Sequence, residues 1–297
     1  MATVAFTGRA VGVPALLLVG NAKASGVGGR PEALDSAIRA LRTAGARVEP
    51  HLTESLGELG ALAEVADGRR LVVLGGDGSL HAVANLPHPP EQVAVLPAGG
   101  ANNIAASLGI PTDLGAAARL AVDGRARAID GIDAVGLDGA RYTALEGISA
   151  GFLAQARARF RAENSAHVAE GLRAGLAELA GFRPVEVSLA VDGEAQSLAI
   201  SQLFVVNMPR YAFGLQVAPA DPSDGLVDVV TIRTRTRAGL IAALVRLRRG
   251  TFAAQSRRAE QVVLTTDESP VVADSTNLGA GSVALTVRRE ALRMVAP

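Results

Sequence analysis

The segment LVVLGGDGSLHAVAN, Leu71–Asn85, combines three glycines with one acidic residue. An apolar run ends in Gly75 and Gly76, Asp77 follows, and the next residues have the pattern of a helix. Glycines after a strand let backbone N–H groups point at one spot, and the first turn of a helix adds positive potential, so the arrangement suits a phosphate group. Asp77 would repel a bare phosphate, which indicates that a divalent cation or a network of donors stands between them.

Two other glycine-rich turns follow predicted strands. GNAKASGVGG begins at Gly20, and PAGGANN begins at Pro97. The carboxyl ends of parallel strands lie at one edge of a sheet, where ligands bind. We therefore expect the three turns to converge on one site. Tight strand-to-helix connections also use glycine for steric reasons, so the spacing alone does not identify the ligand.

The elements that must position these turns change in character along the chain. From Val13 to about Ala128, short apolar segments alternate with helical patterns, which is typical of a parallel sheet covered by helices on both faces. Beyond that point the segments lengthen, alternate and carry hairpin signals, as in antiparallel sheets. We predict a Rossmann-like α/β domain over residues 1–128 and a mostly antiparallel β-sandwich domain, with helical insertions, over residues 129–297.

These motifs resemble those of the diacylglycerol kinase catalytic family, which includes sphingosine kinases and soluble bacterial lipid kinases. GGDGS and VLPAGGANNIAASLGIP resemble the paired motifs GGDGT and P-x-G-T-x-N-D-x-A-x-x-L-G-I-P of that family. The other matching segments are GNAKASG, EGISAGF and VVNMPRYAFGLQVAPADPSDGLVDVVTI. They resemble the family's N-P-x-S-G, its G-x-G-F and its long segment that ends in D-G-x-L. The motifs occur in the family's order over most of the chain.

The resemblance implies that an ATP-binding α/β domain and a β-rich lipid-binding domain transfer the γ-phosphate of ATP to the hydroxyl of a diacylglycerol-like or sphingoid lipid. It implies that ATP is held by Asn21, Ser25, Thr53, Gly75, Gly76, Asp77, Gly78, Ser79, Gly99, Gly100 and Asn102. It also implies a structural magnesium ion (Mg²⁺), bound by Asp224 and by the backbone carbonyls of Asp221 and Leu226.

The chain departs from the family pattern at residues that matter for catalysis. Ser79 keeps the hydroxyl of the family threonine, whereas Gly100 has none, and Asn103 replaces an aspartate. The family's catalytic D-G-E aligns with Asp274-Ser275-Thr276, so its glutamate is lost.

General-base help is typically worth ~10²–10⁴-fold, while phosphoryl transfer depends mostly on positioning and charge stabilisation. The resemblance implies that Asp77 and Asp274 are the catalytic residues. Asp77 would organise Mg²⁺ and the phosphates, and Asp274 would be the remaining candidate base.

Two alternatives stay open. The lost hydroxyl at Gly100 and the lost acid at Thr276 also suit a relative that binds nucleotide or lipid as a sensor without turnover. In addition, GGDG is shared with NAD kinases, so NAD is an alternative acceptor. The segments after Val205 favour the lipid.

Several conspicuous residues have simpler interpretations. The literal DGE of Asp192-Gly193-Glu194 fits a two-residue turn between alternating strands. His81 stands where the family usually has asparagine, and we interpret it as a surface residue of a helix, with a position facing the nucleotide as the alternative. His51, His88 and His167 lack the spacing of metal ligands and are also interpreted as surface residues.

The segment Arg233–Arg258 holds eight arginines around GLIAALV. We interpret it as a helix packed on the sandwich whose arginines reach water, with contact to an anionic membrane as the alternative. It is the best candidate for the surface through which the protein reaches a lipid.

Composition excludes several classes of function. Lys plus Arg and Asp plus Glu number 29 each, so no long-range electrostatic field attracts nucleic acid. The chain also has no cysteine for disulfides, thiolate metal sites or nucleophilic catalysis.

The run ALLLVG before Ala-x-Ala resembles a signal-peptide ending, but the strand–loop–helix pattern favours a buried strand. No apolar run approaches the ~18 residues of a membrane span. We expect a cytoplasmic protein that touches membranes peripherally, and a homodimer through an edge strand stays open.

Overall fold

A computed structural model describes most of the chain. The described residues are 15–24, 26–28, 30–66, 68–136, 139–162, 175–252 and 256–297. Ser25, among the predicted ATP-binding residues, and His167, among the predicted surface residues, lie outside these ranges.

The first half alternates strands and helices, as the sequence predicts. Its elements are β1 (Ala15–Asn21), α1 (Pro31–Thr43), β2 (Arg47–Thr53), α2 (Leu56–Glu64), β3 (Arg70–Gly75), α3 (Asp77–Ala84), β4 (Val93–Pro97), α4 (Asn103–Ser107) and α5 (Leu114–Asp123). The strands pair in parallel in the order β2-β1-β3-β4.

Helices cover both faces of this sheet, which explains why its central strands are apolar throughout. Leu59 of α2 and Leu80 of α3 pack with one face, and Leu41 of α1 packs with the other. Side-chain caps stabilise the first turns of two helices. The Ser55 side chain accepts the N–H of Glu58 at α2, and the Asp113 side chain accepts the N–H of Ala116 at α5. The predicted buried strand after residue 13 is confirmed as β1.

The second half is mainly antiparallel, as predicted. Its elements are β5 (Arg125–Val135), β6 (Arg141–Ala144), β7 (Gly147–Gly151), α6 (Phe152–Ala162), β8 (Val185–Val191), β9 (Glu194–Ile200), β10 (Gln202–Val206), β11 (Arg210–Tyr211), β12 (Leu215–Gln216), β13 (Val227–Ile232), α7 (Arg237–Arg249), β14 (Ser256–Ala259), β15 (Gln261–Thr266), β16 (Val271–Ala273), β17 (Thr276–Asn277) and β18 (Gly281–Ala296). Residues 175–180 are also helical.

Two sheets face each other in this half. The order β14-β13-β10-β7-β16-β17 forms one sheet, and its inner residues, such as Ile148 and Val205, pack against Leu189 and Leu264 of the other. Helix α7 covers the outer face of the first sheet through Leu247. The turn interpretation of Asp192-Gly193 is confirmed, because both residues have positive φ angles, 47° and 86°, between β8 and β9.

Strands β5 and β18 run through both halves. The first part of β18 pairs with β15 and β5, while its last residues pair with β5 and place Met294 beside Val93 of β4. The predicted boundary after residue 128 falls inside β5. This shared sheet holds the glycine turns next to the sandwich.

Candidate active site

The three glycine-rich turns meet at one edge of the parallel sheet, as predicted. The Asn21 amide at the end of β1 donates to the Ser79 hydroxyl at 3.2 Å. The backbone N–H of Gly26 donates to Ala98 O at 2.8 Å, and Ala98 N–H donates to Gly75 O at 2.7 Å. The first turn therefore contacts both of the others directly.

The second and third turns approach so closely that their contact point admits only glycine. A Cβ added to Gly76 would lie 2.7 Å from the Cα of Gly99, and one added to Gly99 would lie 2.6 Å from the Cα of Gly76. Asn102, with φ of 49°, closes the third turn by bonding both the N–H and the C=O of Gly99 with its side chain. These glycines are therefore needed for the turns to meet.

Asp77 joins the second turn to the helix that follows the third. Its two carboxylate oxygens accept the backbone N–H groups of Asn103 and Ile104, each at 3.0 Å, at the start of α4. A carboxylate is stabilised there by the unpaired N–H groups and the helix dipole. The structure therefore shows donors for this acid, which are backbone groups of α4, and the divalent cation stays a prediction.

The other predicted ATP-binding residues fall into two groups. Thr53 is buried at the end of β2, and its hydroxyl donates to Gly20 O at 3.1 Å, so it holds β1 and β2 together. Gly100 is exposed, and a Cβ on Gly78 would meet nothing within 4 Å, so these two lie on the open side of the turns.

Asp274 occupies a buried position between β16 and β17, with φ of 48°. Its carboxylate accepts three consecutive backbone N–H groups, those of Leu145 (2.9 Å), Glu146 (2.9 Å) and Gly147 (3.0 Å). A carboxylate has about four acceptor positions, so little capacity is left for the proton of a substrate. Asp274 holds the turn between β6 and β7, and Thr276 lies partly buried in β17.

The interpretation of His81 as a surface residue is wrong. His81 is 5% exposed, because the face of α3 that carries it packs under the turn between β6 and β7. Its Nε2 lies 3.2 Å from Asp274 Oδ2 and 3.3 Å from Glu146 Oε1. Burial lowers the pKa of His81, but the carboxylates of Asp274 and Glu146, and the more remote Asp77, outweigh it and raise the pKa to about 9.

Glu146 is a site residue that sequence reasoning missed. It is 4% exposed, and its Oε2 accepts the side-chain amide of Asn103 at 2.8 Å. Burial, helped by the charges of Asp77 and Asp274, raises the pKa of Glu146 to about 7, although His81 acts in the opposite direction. The available signal is one acid inside the largely apolar run TALEGISAGF.

The predicted ligands of a structural Mg²⁺ lie in the loop before β13, and this Mg²⁺ site stays a prediction. Asp224 accepts the N–H of Leu226 at 2.9 Å with one oxygen, and its other oxygen pairs with the guanidinium of Arg258. The Asp221 carboxylate accepts the N–H (3.0 Å) and the hydroxyl (2.7 Å) of Ser223. The guanidinium of Arg258 therefore supplies one positive charge beside Asp224.

Comparisons with known proteins agree with this geometry. Residues 15–134 match the diacylglycerol kinase catalytic domain, and residues 146–296 match the YegS C-terminal NAD kinase beta sandwich-like domain. A probable lipid kinase YegS-like of Shewanella frigidimarina is 31% identical over 230 residues, covering 73% of this chain and 71% of its own. The diacylglycerol kinase of Bacillus subtilis is 27% identical over 236 residues, with 73% of each chain covered.

A solved structure shows the same fold over nearly the whole chain. A diacylglycerol kinase of Bacillus anthracis str. Sterne has a TM-score of 0.69 and 18% identity, and the match covers 95% of this chain and 96% of that one. The two family models match successive parts of the chain, and the relative from Shewanella frigidimarina extends over 73% of it. The chain belongs to the diacylglycerol kinase and YegS-like lipid kinase family.

Proposed function

We propose that the protein is an ATP-dependent lipid kinase that transfers the γ-phosphoryl group of ATP to the hydroxyl of a lipid. The observation that carries this proposal is the convergence of three glycine turns at one edge of the sheet, where His81 of the following helix lies 3.2 Å from the buried Asp274 of the sandwich. Membership of a family of lipid kinases supports it. NAD is the alternative small-molecule acceptor, because GGDG is shared with NAD kinases.

In the proposed reaction the lipid hydroxyl oxygen attacks the γ-phosphorus, the bond from that phosphorus to the β–γ bridging oxygen breaks, ADP leaves, and the hydroxyl proton is released. The open turns around Gly78 and Gly100 would bind the phosphates through backbone N–H groups. Mg²⁺ bound to ATP would neutralise phosphate charge. Since Asp274 already accepts three N–H groups, we assign it to positioning rather than to proton transfer.

The lipid must be reached from a membrane surface, and we infer that α7 and the β11–β12 hairpin form that surface. Ile241 and Val245 of α7 are 45% and 42% exposed, and Phe213 at the hairpin tip is 72% exposed. The stretch 233–252 contains six arginines and no acid. Exposed apolar side chains bordered by arginines suit the interface of an anionic bilayer. In the described part of the chain, no helix is long and apolar enough to cross a membrane.

Vesicle sedimentation tests this surface. We expect the wild type to bind phosphatidylglycerol vesicles better than phosphatidylcholine vesicles, and Ile241→Glu/Val245→Glu to lose at least about tenfold in binding, because two apolar contacts become charged. Val263→Glu is the matched control, since Val263 is 44% exposed on β15. Equal binding by both variants would overturn the assignment of this surface.

Transfer of labelled γ-phosphate from MgATP tests the proposed function. The acceptor panel contains diacylglycerol, a sphingoid base, ceramide, phosphatidylglycerol and NAD. Gly76→Ala is the disabling variant, because its Cβ would collide with Gly99, and Gly57→Ala on the exposed side of α2 is the matched control. We expect a labelled lipid with the wild type and Gly57→Ala, and a loss of at least ~10²-fold with Gly76→Ala.

Labelled NAD without labelled lipid would move the assignment to a small-molecule kinase. Retained ATP binding with no labelled product would instead favour a nucleotide sensor, which the loss of the acid at Thr276 also suits.

A further inference from the structure

A network of four buried polar side chains crosses the junction between the glycine turns and the sandwich. Asp274 Oδ2 lies 3.2 Å from His81 Nε2, the same nitrogen lies 3.3 Å from Glu146 Oε1, and Glu146 Oε2 accepts the Asn103 amide at 2.8 Å. The Asn103 amide also donates to the backbone C=O of Ala212. The four side chains of this network are each at least nine-tenths buried.

These side chains come from elements that otherwise belong to different parts of the fold. His81 lies in α3, one turn after the second glycine turn, and Asn103 is the first residue of α4, after the third. Glu146 and Asp274 belong to the sandwich. The network therefore connects the glycine turns to the domain that would carry the lipid.

The charges in this network stabilise one another. Two buried carboxylates close together are costly unless a cation lies between them, and His81 is the cation that reaches both Glu146 and Asp274. Neither ring nitrogen of His81 makes a well-aligned hydrogen bond with a described residue, so the contact is ionic rather than a directed hydrogen bond. Removal of His81 would leave the two acids facing each other.

We propose that His81 and Glu146 are a positioning pair that holds the second and third glycine turns against the sandwich and thereby sets the geometry of the phosphate site. The link to turnover rests on the proposed kinase function. A 1 Å displacement of bound phosphates can cost a phosphoryl-transfer enzyme ~10²-fold, so the pair affects the reaction without touching the substrate.

Several charged and titratable groups face the pair of His81 and Glu146. Asp274, Glu146 and Asp77 face His81, and Tyr211 and Arg157 lie on the sandwich side of the two acids. Deprotonation of His81 at high pH removes the only cation in direct contact with both acids among the described residues. We therefore expect MgATP binding to weaken as the pH rises through the pKa of His81, about 9.

Three variants test the proposal. His81→Asn and Glu146→Gln each break the pair, and His81→Gln/Glu146→Gln replaces it by two neutral amides that are long enough to bond to each other. We expect each single variant to weaken MgATP binding and to lower kcat by at least about tenfold, and the double variant to recover most of both. His51→Asn, from an exposed His–Glu pair, is the matched control and is expected to behave as the wild type.

A titration by nuclear magnetic resonance provides a readout that is independent of turnover. The chain has four histidines, so the signal that is absent from His81→Asn identifies His81. We expect this signal to titrate near pH 9 in the wild type and at lower pH in Glu146→Gln, because one of its two neighbouring anions is gone.

The outcomes separate this proposal from the proposed function. A high titration point together with ATP binding that is lost in His81→Asn and restored in the double variant supports the positioning pair, even if no lipid is phosphorylated. A titration point near pH 6.5, or a double variant that binds ATP no better than His81→Asn, overturns the proposal even if the protein is a lipid kinase. Should His81→Asn not fold, the wild-type titration and the double variant decide.

Discussion

The molecule contains the same ion pair twice, in opposite surroundings. His51 and Glu49 on β2 lie 3.1 Å apart, with side chains 36% and 55% exposed. His81 and Glu146 lie 3.3 Å apart, with side chains 6% and 5% exposed. The distances barely differ, yet the pKa of His81 is raised to about 9 and that of Glu146 to about 7.

The difference shows that burial, rather than residue type or distance, makes such a pair important. Water screens the exposed pair, and pairs of that kind are worth at most about 1 kcal/mol. A buried pair that loses one partner leaves an uncompensated charge, which costs about 3–5 kcal/mol. The four predictions below follow from this contrast.

The largest effect is expected from removing the buried cation. His81→Asn should lower the free energy of unfolding by about 3 kcal/mol at pH 6.5, because Glu146 and Asp274 then share a buried site without a cation. His51→Asn should change it by less than about 0.5 kcal/mol. Urea unfolding followed by circular dichroism measures both values, and equal losses would remove the distinction between the two pairs.

A pH series should reveal the same cation in the wild type. The folded pKa of His81, about 9, lies above its ordinary value of 6.5. Its contribution to stability is therefore complete below pH 6.5 and is lost as the pH rises to about 9, up to about 3 kcal/mol. The raised pKa of Glu146 acts with the same sign at lower pH, between 4.5 and about 7.

Unfolding free energies across this range test the prediction. We expect stability to fall between pH 6.5 and 9 in the wild type and in His51→Asn, and the fall to be much smaller in His81→Asn. A fall of equal size in all three proteins would assign the pH dependence to other groups.

Double-mutant cycles should separate the two pairs by their coupling. We expect about 1–3 kcal/mol of coupling between His81 and Glu146, since they share a buried site, and no measurable coupling between His51 and Glu49, since water screens that pair. The cycles combine the asparagine and glutamine variants of each pair, measured by urea unfolding at pH 8. Coupling of the same size in both pairs would contradict the role given to burial.

The smallest effect is expected at the pair of Asp224 and Arg258, whose side chains are 25% and 51% exposed. Arg258→Gln should cost about 1 kcal/mol, because the pair is partly screened. A chelator should leave the melting temperature of the wild type unchanged where the guanidinium of Arg258 alone neutralises Asp224. A chelator that lowers the melting temperature by several degrees would show that a metal does bind there.

The fold and the glycine turns could be predicted from sequence because they rest on local patterns. Apolar runs, turn residues and the spacing of Gly75, Gly76 and Gly99 place the turns at the carboxyl ends of parallel strands. The role of Asp77 could be predicted only as two alternatives, because its partners in α4 are 26 and 27 residues away. A pattern shows that an acid needs donors but does not show which donors reach it.

The buried pair and the loop around Asp224 could not be predicted in this way. His81 and Glu146 are 65 positions apart, and neither stands out until the packing of α3 under the sandwich is known. A helix with one histidine has the same sequence pattern whether that face meets water or protein. Likewise, the D-G-x-L motif is retained, but only the structure brings Arg258 to Asp224.

The most direct test of the lipid kinase assignment is the stoichiometry of ADP and phosphorylated lipid with MgATP in mixed micelles. We predict that the wild type forms ADP only when an acceptor lipid is present, in a 1:1 ratio to the phosphorylated lipid. ADP formation that is independent of lipid, or that accompanies phosphorylation of NAD alone, would contradict the assignment.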